Sequence, residues 1–155
     1  MSLFVSSFPN DTNASFGLGI ALSDEVMGRF EGKSDEKLKG KHILVVEDYP
    51  LMGALLMDLL KQYNHASYAR SGNEAIKEIK QKRPDIILLD LSLPDMSGLE
   101  VARRLRNNQR TKSIPILAMS GSAIEKKTCL EAGCNDFILK PFDTSQLLAQ
   151  LATLV

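Results

Sequence analysis

Three short apolar runs in this chain each end abruptly in charge. Ile43-Leu44-Val45-Val46 runs into Glu47-Asp48, Ile86-Ile87-Leu88-Leu89 into Asp90, and Phe137-Ile138-Leu139 into Lys140-Pro141. A continuous apolar run of that length reads as a strand of a parallel sheet, buried on both faces and stopping at a polar edge. Parallel strands put all three charged ends on one carboxyl edge, where open α/β sheets bind ligands. The carboxylates of Glu47, Asp48 and Asp90 and the ammonium of Lys140 are therefore expected to converge in one crevice.

That crevice has restrictive physics. Carboxylates a few ångströms apart repel, so one must protonate unless a cation sits among them. A hard divalent ion with oxygen ligands, Mg²⁺ above all, is the natural solution. Lys140 adds a point charge that can meet an incoming anion. A metal, a carboxylate and a lysine together suit phosphoryl transfer, which needs positioning and charge neutralisation more than covalent assistance.

From Lys41 onward strands and helices alternate. The pattern predicts strands over about 42–47, Ala66 to Arg70, up to Asp90, Ile114 to Met119, and Asn135 to Leu139. The first helix, near 51–62, has Leu51, Leu55 and Leu59 on one face with Met52, Leu56 and Leu60. Three Ser-x-x-Glu capping boxes, at Ser71–Glu74, Ser97–Glu100 and Ser122–Glu125, open the next three helices. These helices turn Ile76 and Ile79, then Leu99, Ala102 and Leu105, inward. Asp143 caps the last helix, whose apolar face is Leu147, Leu148, Leu151 and Leu154. Asp95, beside Pro94, reads as a turn residue. His42 and His65 read as ordinary histidines without acidic partners. The expected fold is an α/β, doubly wound, five-stranded parallel sheet in the order 2-1-3-4-5, with helices on both faces.

Composition narrows the function. The 155 residues suit one domain, and a formal net charge of +0 gives no electrostatic case for nucleic-acid binding. No apolar run reaches the ~20 residues of a membrane span, and the start at Met1 lacks a secretory pattern. Cys129 and Cys134, the only cysteines, match no zinc or redox motif and read as reduced structural thiols. A cytoplasmic location without membrane contact is expected.

The residues quoted above resemble the receiver domain of two-component response regulators over about 41–155. The motifs are Val45-Val46-Glu47-Asp48, Leu88-Leu89-Asp90 through Met96-Ser97-Gly98, Ala118-Met119-Ser120-Gly121-Ser122-Ala123, and Phe137-Ile138-Leu139-Lys140-Pro141-Phe142. The resemblance implies a flavodoxin-like fold and a signalling domain rather than an enzyme. It implies Asp90 as the acceptor of a phosphoryl group from a phosphohistidine. Asp48 is then the direct Mg²⁺ ligand, Glu47 a ligand through water, and the backbone carbonyl of Ser92 the remaining protein ligand. Ser120 bonds the acyl phosphate and Lys140 pairs with a phosphoryl oxygen. Phe137 is the switch aromatic, turning inward as the hydroxyl moves, and Lys140-Pro141 is a cis peptide. The implied partner is a histidine kinase or phosphotransfer protein. The implied contact face, also a homodimer face, is helix four, strand five and helix five, near Ile124, Leu130, Phe137 and Leu147.

Other classes fit less well. A haloacid-dehalogenase-type phosphatase needs a second Asp where Ser92 stands. A flavodoxin-like cofactor binder would not place Glu47-Asp48 where a phosphate must sit. A receiver kept only for protein contacts would not need the full acidic set with Lys140. Residues 1–40 form an N-terminal extension, with Ser34 to Lys41 reading as a solvated linker. Within it, Ser15-Phe16-Gly17-Leu18-Gly19-Ile20-Ala21 and Met27-Gly28-Arg29-Phe30-Glu31-Gly32 resemble the end of a histidine-kinase ATPase domain. Its leading glycine is missing, since Asn13 and Ser15 stand there. That resemblance implies a fragment of a hybrid kinase.

Overall fold

The computed structural model describes residues 36–62, 65–123 and 125–155. The readings placed on residues 1–35 and on Ile124 lie outside the described residues. Strands β1 (His42–Val46), β2 (His65–Ala69), β3 (Ile86–Asp90), β4 (Ile116–Ser120) and β5 (Asp136–Leu139) alternate with helices α1 (Pro50–Lys61), α2 (Gly72–Gln81), α3 (Gly98–Arg106), α4 (Glu125–Glu131) and α5 (Thr144–Thr153). Among the described residues these five strands pair in parallel throughout, and the order is β2-β1-β3-β4-β5, as the alternation predicts.

Parallel pairing with side chains alternating across the sheet splits the core in two. Leu44, Val46, Ile87, Leu89, Ile116 and Ala118 face α2, α3 and α4, where Ile79, Val101, Leu105 and Cys129 meet them. Ile43, Val45, Leu88, Leu117, Met119 and Ile138 face α1 and α5, where Leu56, Leu60, Leu147 and Leu151 meet them. The continuous apolar runs are thereby explained: both faces of β1, β3 and β4 are covered.

Several local expectations change. Leu38 is fully buried in the α1/α5 layer, so the end of the stretch read as a solvated linker is core. Burying one leucine contributes about 1.5–3 kcal/mol. Leu51 and Leu55 are 58% and 42% exposed, because Gly53, Leu56 and Leu60 form the buried stripe of α1. Strand β4 begins at Ile116, not Ile114: Pro115 has no N–H to give the ladder, although its carbonyl accepts from Ile87 at 2.9 Å. His42 is buried, with Nε2 2.9 Å from the Ser67 hydroxyl and its main-chain N–H on the Asp85 carboxylate at 2.7 Å.

The capping boxes fare differently. Ser71 accepts from the Glu74 N–H at 3.2 Å, and Asp143 caps α5 through the Gln146 N–H at 2.7 Å. Glu74 reaches back one residue further than expected, to the Arg70 N–H at 2.7 Å. Ser97 accepts from the Leu99 N–H, while Glu100 pairs with Arg104 one turn on. At Ser122–Glu125 the box does not form. The Glu125 N–H reaches the Ser122 carbonyl at 3.3 Å, and the Glu125 carboxylate goes elsewhere.

Candidate functional site

Each strand end delivers its charge to the carboxyl edge. Register sets Val46 beside Leu89, Asp90 beside Met119, and Ser120 beside Leu139. Glu47-Asp48 therefore follows β1 directly next to Asp90, the last residue of β3. The Lys140 N–H bonds the Ser120 carbonyl at 2.7 Å, and the Lys140–Pro141 peptide is cis.

The side chains converge. Lys140 Nζ lies 2.6 Å from Asp90 Oδ2 and 2.9 Å from Glu47 Oε2. Glu47 Oε1 accepts the Tyr49 N–H at 3.0 Å, and Asp90 Oδ1 accepts the Ser92 N–H at 2.8 Å. Glu47 and Asp90 are 1% and 4% exposed, whereas Asp48 stands in solvent. Asp48 makes no hydrogen bond or ion pair among the described residues. Carboxylate oxygens of Glu47, Asp48 and Asp90 all lie within 4.8 Å of one another.

Burial raises the Glu47 carboxyl above its usual range, with the nearby Asp90 charge adding to it and the Lys140 hydrogen bond opposing. For Lys140, burial is the largest single influence and acts to lower its value. The hydrogen bonds from Asp90 and Glu47 outweigh it and hold the ammonium above the ordinary lysine range. The two directions pull against each other across one ion pair. Two carboxylates against one ammonium hold Lys140 charged.

Three carboxylates against one ammonium leave two formal negative charges, which one divalent cation balances. The donors are all hard oxygens, the set Mg²⁺ takes, and the exposed Asp48 leaves room for retained waters. The residues present fit that ion.

Backbone packing fixes the acidic turn. A Cβ on Gly98 would lie 2.3 Å from the Asp90 carbonyl oxygen, so only glycine lets α3 start against the end of β3. The Tyr68 hydroxyl donates to the Glu47 carbonyl at 2.7 Å, and its ring fills the space where a Cβ on Gly53 would sit. Tyr68 was not legible as a site residue, since a tyrosine in a half-buried strand has many roles.

Ser120 and Phe137 are both buried. Ser120 is buried at the end of β4, its hydroxyl donating to the Glu125 carboxylate and accepting the Ser122 N–H at 3.1 Å. Phe137 is already buried, packed in the α2/α3/α4 layer. Leu147 is fully buried, so neither it nor Phe137 offers a contact surface; Leu130 and Leu139 are exposed on α4 and β5. Asp95 is more than a turn residue. Its carboxylate accepts the Gly72 and Asn73 N–H groups at 2.8 Å each, capping α2 from the loop after Asp90.

Known proteins share this fold. Residues 43–152 match the family model described as "Response regulator receiver domain". The chemotaxis protein CheY of Thermotoga maritima is 30% identical over 114 residues, covering 72% of this chain and 95% of that protein. Hybrid signal transduction histidine kinase D of Dictyostelium discoideum is 35% identical over 126 residues, covering 79% of this chain but 8% of the kinase. Among solved structures, the receiver domain of sensor histidine kinase PA1611 from Pseudomonas aeruginosa superposes with a TM-score of 0.67 at 29% identity, over 74% of this chain and 95% of that one. That structure has a magnesium ion coordinated in its active-site cleft. Relatives thus include both a free-standing receiver and a receiver-sized piece of a much larger kinase. With its strand order, its acidic edge and the matched span all in agreement, this chain belongs to the response regulator receiver domain family of two-component systems.

Proposed function

We propose that Asp90 accepts a phosphoryl group from a phosphohistidine on a histidine kinase or phosphotransfer protein. The observation that carries this is the Asp90 carboxylate itself. It is nearly buried, held by the Ser92 N–H on one oxygen and by Lys140 at 2.6 Å on the other, beside two further carboxylates. A carboxylate oxygen of Asp90 attacks phosphorus, the phosphorus–nitrogen bond to the donor imidazole breaks, and that imidazole takes up a proton. Asp90 becomes an acyl phosphate. Its carboxylate charge is replaced by phosphoryl charge, which Lys140 is placed to meet.

Glu47, Asp48, Asp90 and the backbone carbonyl of Ser92 would hold Mg²⁺. When bound, the ion neutralises the carboxylates so that an anionic donor can approach. The chain is itself the phosphorylated component, a signalling acceptor whose own activity is at most self-phosphorylation and self-dephosphorylation. The face that reads the change is α4, β5 and α5, where Leu130 and Leu139 are exposed, and it also serves self-association.

Labelled acetyl phosphate or a phosphohistidine donor tests the assignment. The wild-type chain takes up label only with Mg²⁺ present, and Asp90→Asn takes up none. Equal labelling of the two proteins would refute it.

A further inference from the structure

Glu125 has no place in the acceptor chemistry, yet its side chain reaches the one hydroxyl that does. Ser120 carries a single hydroxyl proton. In this structure that proton goes to the Glu125 carboxylate, while the Ser122 N–H occupies the hydroxyl oxygen at 3.1 Å. Ser120 is 5% exposed, so water is a poor substitute partner.

The same bond ties the first residue of α4 to the end of β4. The main-chain bonds entering the helix are long: the Glu125 N–H to the Ser122 carbonyl and the Lys126 N–H to the Ala123 carbonyl are each 3.3 Å. Among the described residues no side-chain cap from Ser122 supports them. A charge-assisted hydrogen bond is the stronger tie.

We propose that Glu125 is a positioning residue that sets the threshold of the switch by competing with the phosphoryl group for the Ser120 hydroxyl. This rests on Asp90 being the acceptor. One proton cannot serve two anions, so engagement of Ser120 by the acyl phosphate breaks its bond to Glu125. The freed carboxylate then faces a neighbouring anion and is repelled. The first turn of α4 loses its tie and moves, which links chemistry at Asp90 to the contact face without requiring Phe137 to change rotamer.

Titration of the full chain with beryllofluoride and Mg²⁺, a mimic of the acyl phosphate, reads the competition. Glu125→Ala should bind the mimic more tightly by about three- to tenfold, the scale of one hydrogen bond to a charged group less its replacement. Glu125→Gln, whose amide oxygen accepts the same proton without charge, should fall between. In a Ser120→Ala background the Glu125→Ala gain should vanish, because the two residues act as a unit. Amide exchange over residues 125–131 should be faster in Glu125→Ala before any mimic is added. Equal affinity of Glu125→Ala and wild type would overturn the proposal, as would a gain that persists without the Ser120 hydroxyl. Normal Asp90 labelling alongside either result would leave the acceptor assignment standing. A wild-type chain that neither labels nor binds the mimic would overturn both.

Discussion

Lys140 Nζ sits 2.6 Å from Asp90 Oδ2, joining the end of β5 to the end of β3 across the sheet edge. Because the same ammonium also reaches Glu47 at 2.9 Å, it is the counter-charge for the two buried acids. Lys140→Met is expected to tighten Mg²⁺ binding several-fold at low salt, since more negative charge then faces the ion. It should also destabilise the metal-free protein by about 2 kcal/mol, less than a fully buried pair because the lysine is partly solvated. Calorimetric titration and urea unfolding measure the two effects. The raised lysine value means this stabilisation is complete at neutral pH and is lost only as pH climbs through that value. Unchanged Mg²⁺ affinity would show that the ammonium does not act at the cation site.

The two acids after β1 should differ in their hold on Mg²⁺. Glu47 has one oxygen on the Tyr49 N–H and the other on Lys140, whereas Asp48 is exposed and uncommitted. Asp48→Ala should therefore weaken Mg²⁺ binding about tenfold or more, the scale of one lost charge-assisted contact, and Glu47→Gln much less. Titration giving the reverse order would exchange their roles.

Gly98→Ala tests the close approach behind Asp90. A methyl group 2.3 Å from the Asp90 carbonyl oxygen meets backbone, which cannot swing aside as a side chain would. The variant should lose about 1–3 kcal/mol of stability, as overpacked sites do. It should also label more slowly than wild type under saturating Mg²⁺. A stable variant with normal labelling would mean that the start of α3 relaxes freely.

What the sequence made legible, and what it did not, divides along a physical line. The runs ending at Glu47, Asp90 and Lys140 announce their own register, because a strand covered on both faces tolerates charge only at its end. The converging acids follow from that, and strand order from the strand–helix alternation. Side-chain choices among near-equal partners were not legible. Ser122 and Glu125 have capping-box spacing, but the buried Ser120 hydroxyl at the end of β4 takes the carboxylate instead. Leu51 and Leu55 share helical spacing with Leu56 and Leu60; α1 is apolar nearly all round, so periodicity does not choose its buried stripe. Leu38 looked solvated because its neighbours Lys37 and Lys39 are charged, yet its side chain is fully buried in the core.

Asp95 offers the clearest pH test. Its carboxylate bonds the Asn73 and Gly72 N–H groups at the start of α2, and the Asn73 N–H is foremost in holding its carboxyl below the usual value of 3.8. Those N–H groups have no partner inside the helix, so the contact satisfies donors that otherwise turn to water. It also ties the loop after Asp90 to α2. A depressed folded value means the contribution is fully present above 3.8 and is lost as pH falls through the folded value. Asp95→Ala should thus unfold at lower urea than wild type near neutrality, and the gap between them should close as pH drops beneath 3.8. Urea curves taken across that range, with labelling of Asp90 at neutral pH, check both halves. A gap that is constant with pH would mean the carboxylate charge is not what holds the loop to α2.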